Sequence, residues 1–256
     1  DLALKFKVPF VVAGPTLGLF DNIELDDEVN KRLKQAVDIY VRDDASFNNL
    51  QAKDIKSTLI PDVALTRYNK PNPNNKNLKI GIVYNNSNVE FSDYLINELK
   101  EILISDPTIK VDFILTRKWE KDFKASHNVV SKLAEFDIQV IVPMDHIELE
   151  KEIRKVDILI SENLHGLILA TRNGIPVIAI NDYPLNSPNN RKIVAFLKQI
   201  GETDTVIDSM SVAGDLKTRL FKGLKNKHDI EFRISEFINI NHKRTIDFFS
   251  KIKIDN

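Results

Sequence analysis

Cysteine is absent from the 256 residues, so neither a disulfide framework nor a zinc site with thiolate ligands can form. Long apolar runs are absent as well. None approaches the roughly 18 residues needed to span a bilayer, so we expect no membrane segment, and the cytoplasm is the default location. Charge of one sign is not in excess, because Lys and Arg number 36 and Asp and Glu number 37. A net charge of -1 argues against nucleic-acid binding through a broad basic face.

Short apolar segments alternate with helical patterns along the chain, which is typical of βαβ units and a mostly parallel sheet. The segments with strand character before residue 66 are 8–13, 38–41 and 57–60. Those after residue 77 are 78–84, 111–115, 138–142, 158–160, 176–180 and 205–208. The pattern predicts an α/β protein made of two Rossmann-like lobes.

Residues 66–77 separate the two groups of strands, with two prolines, five asparagines and almost no apolar side chain. We therefore expect a partial N-terminal lobe, a linker, a C-terminal lobe and a helical tail, at 1–68, 69–77, 78–230 and 231–256. The chain opens at Asp1 and soon enters a strand, so we expect the first lobe to be incomplete at its N-terminus. The tail has an apolar stripe at helical spacing, which we expect to pack toward the first lobe.

Several helix ends can be identified from the sequence. Ser46 is a candidate N-cap for a helix after the second strand. Asp145 and Glu148 have the spacing of a capping box. Gly174 is expected to terminate the helix that begins near residue 163.

The segment Val156–Ala170 carries the most chemical information. An apolar strand is followed by Asn163, Leu164, His165 and Gly166 in the first turn of a helix. Ligands of open parallel sheets bind beyond the carboxyl ends of the strands, and helix N-termini favour anions. Gly166 permits close approach of a ligand to the backbone, and His165 can exchange a proton near neutral pH. A histidine that only caps or packs at the helix start fits this pattern equally well.

Other polar and aromatic residues receive simpler interpretations. The remaining histidines are expected to be surface or capping residues; they are His127, His146, His228 and His242. Trp119 follows a strand end, where it either stacks on a sugar ring or packs at the edge of a lobe. The lysine-rich stretch Lys222–Lys227 is expected to be a solvated face.

The segment around His165 resembles the signature of the polysaccharide pyruvyl transferase family, whose usual form reads Ser-Arg-Leu-His-Gly-Leu-Ile followed by a Gly-x-Pro strand. Here the corresponding residues are Asn163-Leu164-His165-Gly166, with Gly174-Ile175-Pro176 after them. Further matches occur in the family's order; they are Gly14 to Phe20, Val41-Arg42-Asp43 with Ser46, and Pro61-Asp62.

This resemblance implies a fold similar to that of GT-B glycosyltransferases and a role in polysaccharide biosynthesis, including glycans of the cell surface. It implies phosphoenolpyruvate as donor and a sugar or glycan as acceptor, with neither metal nor further cofactor, and leaves the oligomeric state open. His165 is the implied catalytic residue. Donor-binding positions are Arg42, Asn163, Leu164 and Gly166, with Arg42 facing His165 across a cleft, and candidate cleft residues are Gly14, Gly18 and Asp62.

Asn163 departs from the family signature, which has arginine at this position. Arginine presents a planar, permanently charged fork to a phosphate or carboxylate, whereas asparagine offers a neutral amide. One alternative is that a nearby cation takes over, with Arg172, Arg191 and Lys192 as candidates. The others are a donor bound differently or a degenerate member of the family.

Two further functions remain open from the sequence. A nucleotide-sugar glycosyltransferase of GT-B type would hold a diphosphate at the helix start near His165 and Gly166. A non-catalytic remnant that binds a sugar or a partner would bind no donor, and Asn163 in place of arginine favours it.

Overall fold

The computed structural model of the chain describes residues 2–15, 17, 23–70, 76–85, 88–116, 120–183 and 191–252, apart from the side chains of residues 2, 4, 23, 121, 122 and 191. These residues fall into two compact units. Unit 1 consists of Asp1–Arg67 and Phe237–Asn256, and unit 2 consists of Tyr68–Glu236. The sequence-based division into lobes, linker and tail stays a prediction.

Strands and helices alternate through both units. The strands are β1 (Val11–Ala13), β2 (Asp38–Val41), β3 (Thr58–Leu59), β4 (Lys79–Val83), β5 (Lys110–Ile114), β6 (Ile138–Ile141), β7 (Ile158–Ser161), β8 (Val177–Ile180) and β9 (Val206–Ile207). The helices are α1 (Leu2–Lys5), α2 (Ile23–Leu33), α3 (Asp44–Ala52), α4 (Val89–Ser105), α5 (Glu120–Ser131), α6 (His146–Ile153), α7 (Leu164–Arg172), α8 (Arg191–Ile200), α9 (Asp215–Lys225) and α10 (Lys227–Lys251). Each predicted strand segment overlaps one of these strands. No helix among the described residues is both long and apolar enough to cross a membrane.

Unit 1 is built on a parallel sheet with the strand order β1-β2-β3. Alternate residues of β2 face opposite sides, as expected for a strand. Ile39 and Val41 pack with Leu33 and Leu50 in one apolar cluster, while Tyr40 belongs to another. Both faces of this short sheet are therefore covered by side chains.

The helix after β2 is capped by Asp43, so the expectation that Ser46 is the N-cap is wrong. The Asp43 carboxylate accepts hydrogen bonds from the Ser46 N–H at 2.8 Å and from the Ser46 hydroxyl at 2.9 Å. Ser46 Oγ in turn accepts a bond from the N–H of Leu17. Ser46 lies inside the first turn and joins the cap to the loop after β1.

The C-terminal part of α10 packs within unit 1, as its apolar stripe predicted. Phe248 is buried against Tyr40 and Ile60, with the Tyr40 and Phe248 rings edge to face at 5.3 Å. The side-chain amide of Asn241 donates to the carbonyl oxygens of Asp62 and Leu65. The helix begins at Lys227, earlier than the predicted tail, and its first residues group with unit 2.

Unit 2 contains a six-stranded parallel sheet with the order β6-β5-β4-β7-β8-β9. In chain order this is the 3-2-1-4-5-6 arrangement of a doubly wound Rossmann fold. On one face of this sheet, Ile80, Ile82, Ile158 and Ile160 of the central strands form an apolar cluster with buried side chains of α4, α5 and α9. The direction of winding reverses between β4 and β7, so a crevice is expected beyond the carboxyl ends of these two strands.

Two predicted helix ends of unit 2 are confirmed. Asp145 caps α6 by accepting from the N–H groups of Ile147 and Glu148, and the Glu148 carboxylate accepts from the N–H of Met144. Gly174 follows α7 with φ of +66°, a conformation that glycine adopts without strain. Lys222 and Lys225 are exposed, as expected for a solvated lysine face. Lys227 departs from this expectation, because its ammonium lies 3.1 Å from Asp157 and its side chain is only 17% exposed.

Candidate functional site at the carboxyl ends of β4 and β7

The candidate site of unit 2 lies at the point where the winding of the sheet reverses. The N–H of Glu162, directly after β7, donates to the carbonyl oxygen of Val83 at the end of β4. The Glu162 carboxylate accepts a bond from the N–H of Asn85 at 3.1 Å. These bonds tie together the two strand ends that border the crevice.

Asn163 is the N-cap of α7. It is buried, and its side-chain oxygen accepts a hydrogen bond from the N–H of His165 at 2.8 Å. Its side-chain amide donates to Thr116 Oγ1 at 3.3 Å. An asparagine at this position thus closes the helix end and links it to the end of β5, which explains the residue without any ligand.

His165 lies one residue inside the start of α7 and is exposed, while Leu164 before it is half-buried. The carboxyl end of β7 therefore presents an accessible imidazole next to the positive end of a helix dipole. Gly166 is buried, and a Cβ atom there would lie 2.7 Å from Ser161 Oγ. Its visible role is close packing of α7 against β7.

Tyr84 directly follows β4 and is buried. Burial raises the pKa of Tyr84 to about 12, with further raising from the charges of Glu162, Asp182 and Asp93, although the hydrogen bond with Ser92 lowers it. The phenol is therefore protonated at neutral pH and cannot serve as a base. Its hydroxyl is bonded to Ser92 Oγ at 2.7 Å, and the Ser126 hydroxyl donates to its carbonyl oxygen.

The three cations that could replace the missing arginine differ in their distance from the candidate site and in their exposure. Arg172 ends α7, whereas His165 begins it, and its guanidinium lies 3.4 Å from Glu150. At 1.5 Å per residue these residues are about 10 Å apart along the helix axis, so Arg172 is not near the candidate site. Arg191 and Lys192 begin α8, the helix after β8; Lys192 is exposed, and the Arg191 side chain lies outside the described residues.

Arg42 lies at the carboxyl end of β2 in unit 1. Its Nη1 atom is 2.6 Å from a carboxylate oxygen of Asp62, and both side chains are mostly shielded from solvent. The other carboxylate oxygen of Asp62 accepts from the N–H of Ala64 and caps the short 3₁₀ helix Val63–Thr66. Asp62 thus holds the guanidinium from a fixed turn.

Gly14 also lies at a strand end of unit 1, directly after β1. Its φ of +69° requires glycine, and a Cβ atom there would lie 2.7 Å from the Tyr40 hydroxyl oxygen. Burial raises the pKa of Tyr40, Asp62 raises it further, and Arg42 lowers it. Gly14 is therefore explained by the turn and by contact with Tyr40. Gly18 and Trp119 lie outside the described residues.

The structure thus groups the sequence-derived candidates in two places. Asn163, Leu164, His165 and Gly166 form one cluster in unit 2, and Arg42 and Asp62 form another in unit 1. That Arg42 and His165 line one cleft stays a prediction. Sequence analysis missed Thr116, although its position after β5 could have indicated it. Within the described ranges, no three or more His, Asp or Glu side chains are grouped to hold a metal ion.

Comparison with known proteins agrees with this arrangement. The sequence model of the family described as polysaccharide pyruvyl transferase matches residues 1–182. The chain belongs to the polysaccharide pyruvyl transferase family. This is a transferase family, and the match contains both clusters of candidate residues. No curated protein sequence matches the chain.

Solved structures similar to this family member share its fold at low sequence identity. A chain of the Gap123 glycosylation-associated complex of Streptococcus agalactiae has a TM-score of 0.65 and 14% identity, with 89% of this chain and 47% of that chain covered. The HepE protein of Anabaena, in complex with UDP and glucose, has a TM-score of 0.61 and 13% identity, with 98% and 73% covered. The UDP-GlcNAc 2-epimerase of Neisseria meningitidis, bound to UDP-GlcNAc, has the same score and identity, with 98% and 71% covered.

These neighbours show that the chain has an α/β fold with mostly parallel sheets, similar to the fold of GT-B glycosyltransferases and epimerases. The chain spans 47% of the streptococcal chain that it matches. The fold is thereby established independently of the family match.

Proposed function

We propose that the protein transfers pyruvate from phosphoenolpyruvate to two hydroxyl groups of a sugar in a polysaccharide or glycan precursor, forming a cyclic ketal. One observation carries the proposal. An exposed histidine, His165, lies in the first turn of the helix that follows β7, at the reversal of strand order in a chain of the pyruvyl transferase family. Such a position suits a group that meets a bound anion and moves a proton.

The proposed reaction begins at the enol phosphate. Protonation of the methylene carbon converts it to a methyl group and leaves an oxocarbenium-like carbon beside it. A sugar hydroxyl adds to this carbon and loses its proton, and the carbon–oxygen bond to phosphate then breaks. The second hydroxyl adds in the same way, so the products are the ketal and inorganic phosphate. The two protons released by the hydroxyls balance the proton taken up by carbon and the one taken up with phosphate.

We assign separate roles in this reaction to residues of the chain according to their charge and position. We assign His165 to proton transfer, as acid to the methylene carbon or as base to a hydroxyl. Arg42 provides a fixed cation for the donor, held by Asp62 at 2.6 Å. Arg191 and Lys192, at the start of α8, are the remaining candidates to replace the arginine absent at Asn163.

A ligand panel tests this proposal against its alternatives. Thermal shift is measured with phosphoenolpyruvate, inorganic phosphate, UDP-sugars and GDP-sugars, and ketal formation is then followed by phosphate release with candidate acceptors. The proposal predicts stabilisation by phosphoenolpyruvate and its consumption in the presence of an acceptor. Stabilisation by a nucleotide sugar alone would identify a glycosyltransferase or epimerase. A protein that binds none of these donors would be a non-catalytic member of the family.

A further inference from the structure

A cavity opens beside the candidate site, beyond the carboxyl ends of β5 and β6. It has a volume of about 260 Å³ and is lined by Leu115, Thr116, Pro143, Met144, Asp145, His146 and Leu149. The hydrogen bond from the N–H of Leu115 to the carbonyl oxygen of Ile141 closes the sheet beneath it. This volume is below the roughly 300–1,000 Å³ typical of pockets for drug-sized ligands, so it suits a single ring.

Thr116 connects the cavity with the candidate site. Its side chain lines the cavity, and its Oγ1 atom accepts the hydrogen bond from the side-chain amide of Asn163, the cap of the helix that carries His165. Strand β5 is separated from β7 only by β4. With strands about 4.8 Å apart, the cavity lies roughly 10 Å across the sheet from the end of β7. A ring bound in the cavity would therefore lie next to the part of the substrate that reacts at His165, and would not itself react.

The lining favours a neutral ring with one apolar face. Leu115 and Leu149 are buried, and the Met144 side chain is 76% exposed at the rim. The described lining contains one acidic residue, Asp145, and its negative charge disfavours an anionic donor. The polar residues of the lining are Thr116, Asp145 and His146.

A sugar ring combines these properties, since it has an apolar face of C–H groups and hydroxyls around its edge. We propose that this cavity is an acceptor subsite that binds the uncharged sugar unit next to the one that receives pyruvate, so that the acceptor contains at least two sugar units. The inference rests on the proposed function for the identity of the reacting sugar. The glycan-binding site itself does not depend on transfer, and binding is therefore measured separately.

The two methionines of the chain allow a direct binding test. Protein labelled with ¹³C at the methionine methyl groups gives signals from Met144 and Met210, which are 76% and 74% exposed, and Met210 does not line the cavity. The titrants are lactose, maltose and N,N′-diacetylchitobiose, then glucose, galactose and N-acetylglucosamine, then uridine and phosphoenolpyruvate. We expect a disaccharide to shift the Met144 signal and leave Met210 unchanged. The inference is overturned if uridine or phosphoenolpyruvate gives that pattern, or if no disaccharide does.

Matched substitutions then test the cavity residues. His146→Ala should weaken binding of the effective disaccharide by about fivefold, the loss expected for one hydrogen bond, with no change in phosphoenolpyruvate binding. Met144→Ala should weaken it to a similar extent through loss of apolar contact. The exposed residues His228 and Met210 provide the controls His228→Ala and Met210→Ala. Equal effects in variants and controls would contradict the subsite. A Met144 response without any pyruvyl transfer would retain the glycan site and reject the proposed chemistry, whereas ketal formation without the response would do the reverse.

Discussion

At the scale of single residues, Asn163 shows why a departure from a family signature needs a structural explanation. Its side-chain oxygen caps α7 through the N–H of His165, and its amide reaches Thr116. Both contacts belong to the fold. Asn163 therefore serves as a helix cap at a position where the family signature has a cation.

Asn163→Arg should separate these two roles. Loss of the cap is expected to lower the free energy of unfolding by about 1 kcal/mol, while a new guanidinium beside His165 tightens phosphoenolpyruvate binding. Melting temperature and donor affinity measure the two effects. Asn163→Asp is the control, because aspartate caps equally well and adds a negative charge that weakens donor binding. Weaker donor binding in Asn163→Arg would mean that the site is organised around the asparagine, with Arg191 or Lys192 as the donor cation.

Sequence patterns located several candidate residues correctly but did not predict their contacts. His165 was found because a strand followed by the first turn of a helix marks a ligand-facing edge. The position of Thr116 after β5 could have indicated it, but its contact with Asn163, 47 residues away, is not encoded by any local pattern. Arg172 was proposed as a donor cation because it is close to His165 in sequence. The length of α7 separates the two residues in space, so this proposal was wrong.

At the scale of elements, the start of α9 could not be predicted from local sequence. Leu216 and Leu220 are its only buried residues, and Gly214 at its N-cap has no side chain to accept hydrogen bonds. The cap comes instead from the buried carboxylate of Glu98 on α4, which accepts from the N–H groups of Gly214, Leu216 and Lys217. The strands, in contrast, were predicted from their own apolar runs.

Glu98→Ala should destabilise unit 2 by about 2–3 kcal/mol, because several N–H groups at the start of α9 lose a charged acceptor. Glu98→Gln keeps one acceptor oxygen and should give a smaller loss. Amide hydrogen exchange of α9 measures the effect locally. The control is Glu101→Ala on the exposed side of α4, which should change the free energy by less than about 0.5 kcal/mol. Unchanged exchange in Glu98→Ala would contradict the capping role.

The end of α10 supplies core to unit 1, so Phe248→Ala should be costly. Phe248 is 6% exposed against Tyr40 and Ile60, and loss of a buried phenyl ring typically costs about 3–5 kcal/mol. The control Ile246→Ala removes a side chain on the same helix that is 53% exposed, and it should cost far less. Hydrogen exchange of β2 reports on unit 1 directly. Equal protection of β2 in both variants would show that α10 does not stabilise the unit.

At the scale of the whole molecule, alternation of strands and helices was sufficient to predict two Rossmann-like groups of elements. It could not give the strand order, because the reversal between β4 and β7 depends on which strands pair over long separations in the chain. The apolar stripe of the tail predicted packing toward the first lobe, but it did not show that α10 begins at Lys227 with its first residues in unit 2. Both features depend on tertiary packing rather than on local periodicity.

The connection between the units should be the first site of limited proteolysis. The units divide between Arg67 and Tyr68, and the side chains of Arg67 and Lys70 are exposed. Because Pro71 protects the bond after Lys70, we expect trypsin to cleave at Arg67 or Lys76 before other sites, giving fragments that mass spectrometry identifies. Initial cleavage within α4 or α7 would contradict the domain division.

The central claim is that His165 transfers a proton during pyruvyl transfer. Its most direct test is the rate of ketal formation from phosphoenolpyruvate by wild type and His165→Gln, measured together with the melting temperature. The side chain is exposed, so the variant should melt as wild type does, while the rate falls by about 10²–10⁴-fold, as for loss of a general acid or base. His242→Gln, which changes an exposed histidine on α10, should retain full activity. Wild-type activity in a folded His165→Gln protein would contradict the account.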